Sequence, residues 1–306
     1  MARWRMLLIA PVLFASCRQQ PPPRKMETPT RLEAKGLHNV IRINERLLSG
    51  SSPEGDEGFR SLQELGVKTI ITVDGTKPEV ERAHKFGMRY VHLPVGYDGI
   101  DRPHILRLAK AARDLPGPVY IHCHHGKHRG PTAAAAIALC LDERCTIADA
   151  LGQMKLAGTD PHYTGLYKVP GDLKRPSKQE LDAAPSDFPE TTKVSALAEV
   201  MVEIDHRIDN LKFSQTSNWK TPANHPDVDP AHEALQVAEQ FREAGRLDST
   251  AHASAEFGRW LQEAEEASRE LEKGLRRASD RSVLDASMRK LSNSCGQCHA
   301  KYRDVR

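Results

Sequence analysis

Aromatic residues are few, 5% of the 306-residue chain, so the ring platforms on which proteins stack bases are scarce. Charge of one sign is lacking too: 44 Lys and Arg stand against 41 Asp and Glu, a formal net charge of +3. Such a balance gives no broad field to gather a polyanion, and no nucleic-acid partner is expected. Beyond the N-terminal stretch, apolar runs of bilayer-spanning length are missing. Glycine thins out after Val194, where the composition changes. Cysteines are present at 17, 123, 140, 145, 295 and 298, in settings that suggest separate roles. The length is a prior for two domains.

The N-terminus reads as a targeting segment, outside the fold proper. Arg3 and Arg5 form its charged region and Met6 to Ala15 a short apolar core. Phe14-Ala15-Ser16-Cys17 resembles a bacterial lipoprotein box, with Phe14 where Leu is usual. That resemblance implies that residues 1–17 are a signal and that Cys17 carries the lipid. An ordinary secretory signal cut near here is the alternative. Either exports the protein to the periplasm or cell surface, and the lipid would anchor it to the membrane. Residues 18–36, with Pro21-Pro22-Pro23, read as an extended tether.

Residues 37–168 alternate strand and helix patterns. Val40 to Ile43 reads as an edge strand and Arg46 to Gly50 as a second short one. Phe59, Leu62 and Leu65 share a helix face that Gly66 ends. Val67 to Val73 is a β-branched run and Met88 to Val95 the next strand, with a short helix between. Ile105, Leu106 and Leu108 mark a further helix before the turn at Pro116-Gly117-Pro118. This order predicts an α/β domain: a mostly parallel sheet with helices on both faces. Ligands of such sheets bind beyond the carboxyl ends of strands.

One stretch organises the domain: Val119 to His122, then Cys123-His124-His125-Gly126-Lys127-His128-Arg129-Gly130. An apolar strand ends at His122. Pro131 and the alanines 133–136 open a helix. The joint lies at a helix N-terminus, where unpaired amides and the dipole favour an anion. A Cys there readily becomes a thiolate, the nucleophilic form, and Arg129 offers a planar fork for two phosphate oxygens. His124, His125, Gly126, Lys127, His128 and Arg129 read as the phosphate-binding loop. A metal site among the three histidines is the alternative. A buried structural Cys with Arg129 in a surface ion pair is the plain reading of the same residues.

The stretch resembles the His-Cys-x5-Arg signature of the tyrosine and dual-specificity phosphatase superfamily. From Val40 to Gly158 the chain resembles a bacterial member of it. The resemblance implies a phosphocysteine on Cys123, Arg129 on the phosphate, and a loop Asp as general acid and base. Asp98 is the candidate for that role. Asp101, ahead of Arg102-Pro103, reads as a helix N-cap. Gly130 stands where the family carries Ser or Thr, whose hydroxyl helps the thiolate leave. Cys140 and Cys145 read as small core residues, with a disulfide between them as the alternative.

Residues 169–192, with prolines 170, 176, 185 and 189, read as an exposed linker. Residues 193–306 carry four helical patterns, which predict an all-α four-helix bundle. Leu197, Val200, Met201, Ile204, Ile208 and Leu211 make the apolar face of the first. Cys295-Gly296-Gln297-Cys298-His299 is the attachment pattern of c-type haem. Cys295 and Cys298 would bond one haem c, and His299 would be its axial iron ligand. With Arg303 four residues on, the region resembles cytochrome c′. Met201 is a candidate distal ligand, though a core methionine is the plainer reading.

Two functions fit. One is an exported phosphomonoesterase of the Cys-based type fused to a c-type cytochrome domain for electron transfer or redox or gas sensing. The other is a haem electron-transfer or gas-binding protein whose phosphatase-like domain binds phosphate without hydrolysis or transfers sulfur. A phosphoester substrate, a redox partner and homodimerisation through the bundle are the expected partners.

Overall fold

The structure is a computed structural model that describes residues 28–161, 163–223, 225–251 and 253–303. The expected signal and Cys17 lie outside those residues. In chain order the elements are β1 (Thr30–Ala34), β2 (Leu37–Arg42), β3 (Leu47–Gly50), α1 (Gly55–Glu64), β4 (Thr69–Thr72), α2 (Val80–Lys85), β5 (Arg89–His92), α3 (Arg102–Asp114) and β6 (Val119–His122). Then come α4 (Arg129–Leu141), α5 (Ile147–Ala157), α6 (Thr164–Asp172), α7 (Lys178–Ala183), α8 (Ala196–Thr216), α9 (Pro230–Arg246), α10 (Asp248–Ala251), α11 (Ala255–Arg276) and α12 (Arg281–Tyr302).

The sheet order is β1-β2-β3-β6-β4-β5. Strands β3, β6, β4 and β5 run parallel, with Val119 level with both Leu47 and Thr69. Successive side chains of a strand point to opposite faces, and here they feed two cores. Val119, Ile121, Ile71 and Val91 pack with α3, α4, α5 and α6. Tyr120, Ile70 and Tyr90 pack with Phe59 and Leu62 of α1 and Ala83 of α2. The alanines 133–136 are all buried, and their short side chains let α4 lie close on the sheet behind β6.

Two expected boundaries are corrected. The tether over 18–36 cannot run that far, because β1 is a strand antiparallel to β2, with Leu32 opposite Val40. Five residues with two charges look like tether, yet that is how many edge strands are built. Residues 169–192 are not an exposed linker. Leu181 and Phe188 are buried, and α7 carries a Ser177–Glu180 capping box. Lys110 Nζ donates to the Asp182 and Ala184 carbonyls, at 2.6 and 2.9 Å. The chain then runs along β5: His92 N donates to Pro189 O at 2.8 Å and Thr192 Oγ1 to His92 O at 2.6 Å. Prolines suit such a strap because its outer side needs no ladder donors.

The rest is helical. Helices α8, α9, α11 and α12 share one core, built around Leu211, Val237, Phe241, Leu261, Leu271 and Leu291. Ser195, Asp229 and Ser254 cap the first three. Asp285 of α12 accepts from Gln215 Nε2 at the end of α8 and from Trp219 Nε1, at 2.9 and 3.0 Å. Among the described residues no helix is long and apolar enough to cross a membrane.

Candidate active site

Cys123 sits at the carboxyl end of β6, the central parallel strand, with its residue buried to 3% exposure. The loop that follows is held from outside by its carbonyls. His124 O accepts from Ser52 N, Gly126 O from Asn39 Nδ2, Lys127 O from Thr159 Oγ1 and His128 O from Thr132 Oγ1, all within 3.0 Å. In a planar trans peptide the next N–H points the opposite way. The amides of His125, Lys127, His128 and Arg129 therefore turn away from the groups that hold the carbonyls. Such a ring of amides, ahead of the α4 N-terminus, is an anion cradle.

Two glycines make this loop possible. Gly126 has φ +66°, and a Cβ there would lie 2.2 Å from the Gly50 carbonyl carbon. At Gly130 a Cβ would lie 2.9 Å from Cys123 N and 3.2 Å from His122 C. The missing side chain lets α4 start directly against the Cys backbone. Thr132, the nearest hydroxyl in sequence, is spent on His128 O one turn back.

Arg129 is braced by a residue that the sequence reading did not single out. Its Nη2 lies 3.1 Å from Asp74 Oδ1, with side-chain exposures of 13% and 3%. Burial pushes the Asp74 carboxyl up, but Arg129 foremost among the nearby charges brings it down to about 2. Burial opposes the Arg129 charge as well, and Asp74, Tyr97 and Cys123 together hold its pKa raised. The signal was available: Asp74 follows the carboxyl end of β4, the neighbour of β6, where ligands of parallel sheets bind. Tyr97 was also missed. Its ring faces the Arg129 guanidinium at 4.7 Å and the Arg303 guanidinium at 3.7 Å, a doubly cationic stack.

Behind Cys123, His122 Nε2 lies 3.0 Å from Tyr90 Oη and its Nδ1 3.4 Å from the Cys123 carbonyl. Burial pulls its imidazole down to about 4. It is a neutral support for the loop.

The loop side chains splay outward. His124 Nε2 and His125 Nε2 lie 3.2 and 2.7 Å from Asp209 Oδ2 of α8, and the His124 and His206 rings are 4.3 Å apart. Lys127 is exposed. The His128 ring packs 4.7 Å from that of Tyr163, and burial lowers its imidazole to about 4. Asp98 is exposed in the loop after β5. Its backbone lies so close to α6 that a Cβ on Gly165 would meet Asp98 C at 2.4 Å. It borders a cavity of about 470 Å³ with Ile105 and Lys168. Asp101 caps α3, accepting from His104 N at 2.9 Å.

In the helical region Cys295 and Cys298 carry free thiols. Both are half-buried against the shared core, as is Met201 of α8. Burial lifts the Cys295 thiol to about 11. His299 lies on the same turn of α12 and is exposed, with Arg303 Nη1 3.5 Å from its Nδ1. Residues 295, 298 and 299 share one helix face by spacing, so the donor set fits a covalently held haem. Cys140 and Cys145 are buried and free, which sets the disulfide alternative aside.

No family model and no curated protein matches the chain. Among solved structures the chain is similar to TpbA of P. aeruginosa, at 22% identity over 45% of this chain and 86% of that one, with a TM-score of 0.39. It is also similar to the core catalytic domain of the PP-IP phosphatase SIW14 of S. cerevisiae, at 16% identity over 46% of this chain and 88% of that one, with a TM-score of 0.36. A third similarity is to the kinase associated phosphatase, at 14% identity over 40% and 84%, with a TM-score of 0.33.

Proposed function

We propose that the chain is an exported phosphomonoesterase of the Cys-based type, joined to a haem-carrying four-helix bundle. The observation that carries the first half is the outward anchoring of the loop carbonyls, which turns the following amides the opposite way, in the loop between a buried Cys123 and an Arg129 braced by Asp74.

In this reading the Cys123 thiolate attacks phosphorus. The S–P bond forms as the P–O ester bond breaks, and the departing oxygen takes the proton of the Asp98 carboxyl. A water then gives a proton to the Asp98 carboxylate and attacks phosphorus. The S–P bond breaks, phosphate leaves and the thiolate is restored. Loop amides and Arg129 hold the equatorial oxygens, where charge develops. Without a hydroxyl at position 130, the second step is the slower one.

Cys295 and Cys298 would bond the haem and His299 would be held to its iron, with Met201 a second candidate ligand. The group supplies a redox-active iron open to an electron partner or a small gas. Self-association through the bundle, lipid attachment at Cys17 and export belong to the same reading.

The full chain is expected to hydrolyse an aryl phosphate, and Cys123→Ser to abolish this. Rapid quench and mass spectrometry should find phosphate on Cys123. Persulfide there, with no hydrolysis above the Cys123→Ser control, sinks the enzyme reading in favour of sulfur transfer. For the haem, the absorbance should survive acid extraction and vanish in a Cys295→Ala, Cys298→Ala protein.

A further inference from the structure

We infer that His124, His125 and Asp209 form a site for one divalent transition cation of the zinc class, which clamps helix α8 to the phosphate loop. The two imidazoles come from adjacent loop residues. Their Nε2 atoms converge on one oxygen, Asp209 Oδ2, at 3.2 and 2.7 Å. Adjacent side chains in extended backbone point to opposite faces, so this convergence is a shape the loop has to impose. All three donor atoms lie within 4.8 Å of one another.

The donor set matches the cation. Two imidazole nitrogens and one carboxylate oxygen suit zinc, and bonds of about 2.1 Å at a tetrahedral centre put neighbouring donors about 3.4 Å apart. The observed spacings are within reach of that by small shifts. The other carboxylate oxygen is held elsewhere: Lys212 Nζ lies 2.9 Å from Asp209 Oδ1. Asp209 therefore presents a single oxygen in a fixed direction, the support that bound metals usually receive from their surroundings. The His206 ring lies 4.3 Å from that of His124. Side-chain exposures of 17%, 42% and 21% for His124, His125 and Asp209 leave an entry path and still exclude most water.

Three ligands from two regions of the chain would tie the loop bearing Cys123 to the first helix of the helical region. The inference is independent of the phosphatase reading, because its readout is metal content and stability.

Full-length protein stripped with a chelator is titrated with Zn2+ by calorimetry, with metal content measured by mass spectrometry. One equivalent per chain and a raised melting temperature are expected. Asp209→Asn and, separately, the half-exposed His125→Gln should each weaken binding by more than about tenfold and abolish the thermal shift. A Cys295→Ser, Cys298→Ser protein should keep both. Lack of stoichiometric zinc in the unaltered chain overturns the inference. So does zinc that survives both loop-site variants, or that disappears only with the two thiols.

Discussion

Arg129 enters the loop with a buried carboxylate behind it, and that pairing decides how it can act. A guanidinium on a long stem has many rotamers; one bond to Asp74 Oδ1 at 3.1 Å fixes the fork. Asp74→Asn removes the charge and keeps the shape. A charge-assisted bond contributes about 1.5–3 kcal/mol, so kcat/KM should fall roughly 10- to 100-fold, with a matching loss of vanadate affinity. An unchanged kcat/KM would mean that Arg129 needs no brace. His122 sets a pH limit at the same scale. Its folded pKa is about 4 against an ordinary 6.5, so the unfolded chain takes up the proton first. Above pH 6.5 neither state is charged and no stability is lost. As pH falls from 6.5 toward 4 the unfolded state gains up to about 3 kcal/mol. Melting temperature should decline across that window, and His122→Asn should flatten the decline. Asp74 has the same sign in a lower window: its contribution is whole above 3.8 and is lost as pH falls through about 2.

At the scale of elements, the contact of α4 with the end of β6 is a steric constraint on the site. A methyl at position 130 would meet Cys123 N at 2.9 Å, and both partners are backbone. Gly130→Ala should therefore destabilise the protein by about 1–3 kcal/mol, the usual cost of overpacking. It should also lower kcat by displacing the loop amides. Measured urea midpoints and initial rates would test this, and a variant as stable and active as the parent would refute it. This strand, loop and helix were legible in the sequence because every signal is local: the apolar run, Gly126, Pro131 and the alanines. Other parts were not. β1 has five residues and two charges, and only its pairing with β2 makes it a strand. Asp74 lies 49 positions before Cys123, and Asp209 lies 84 after His125. No spacing rule connects residues that far apart; only the stacking of strands and the docking of α8 bring them together. Tyr97 was hidden for the same reason, since its two guanidinium partners, Arg129 and Arg303, lie far from it and from each other along the chain.

At the scale of the whole molecule, the proline-rich strap after α6 shows why composition alone mistook structure for linker. Prolines 185 and 189 do break helices, but the backbone between them lies along β5 and buries Phe188 against the sheet. Leu181 packs in the same way beneath α3. A unit ending at Lys168, where the periodicity stops, would lose Val169, Leu181 and Phe188. It would also strand the Lys110 ammonium, whose two carbonyl partners belong to the strap. A fully buried large apolar side chain contributes about 1.5–3 kcal/mol, so the three together are worth roughly 5–9 kcal/mol, less where the unfolded chain already buries part of that surface. At about 2–4 °C per kcal/mol for a unit of this size, a 28–193 fragment should melt roughly 10 °C or more above a 28–168 fragment. Calorimetry on the two pieces checks this directly. Coincident melts would mean that the strap only lies on the surface and that the phosphate loop is built without it. A clear gap would make the strap part of the sheet domain and leave, from the helical region, Arg303 on the Tyr97 ring and α8 against the loop. The α8 contact runs through Asp209 against His124 and His125, and Val202 beside Gly75. Removing residues 194–306 should then leave a folded sheet domain whose two loop histidines have lost their carboxylate. Any change in its phosphate affinity relative to the full chain measures what α8 and Arg303 together contribute to the site.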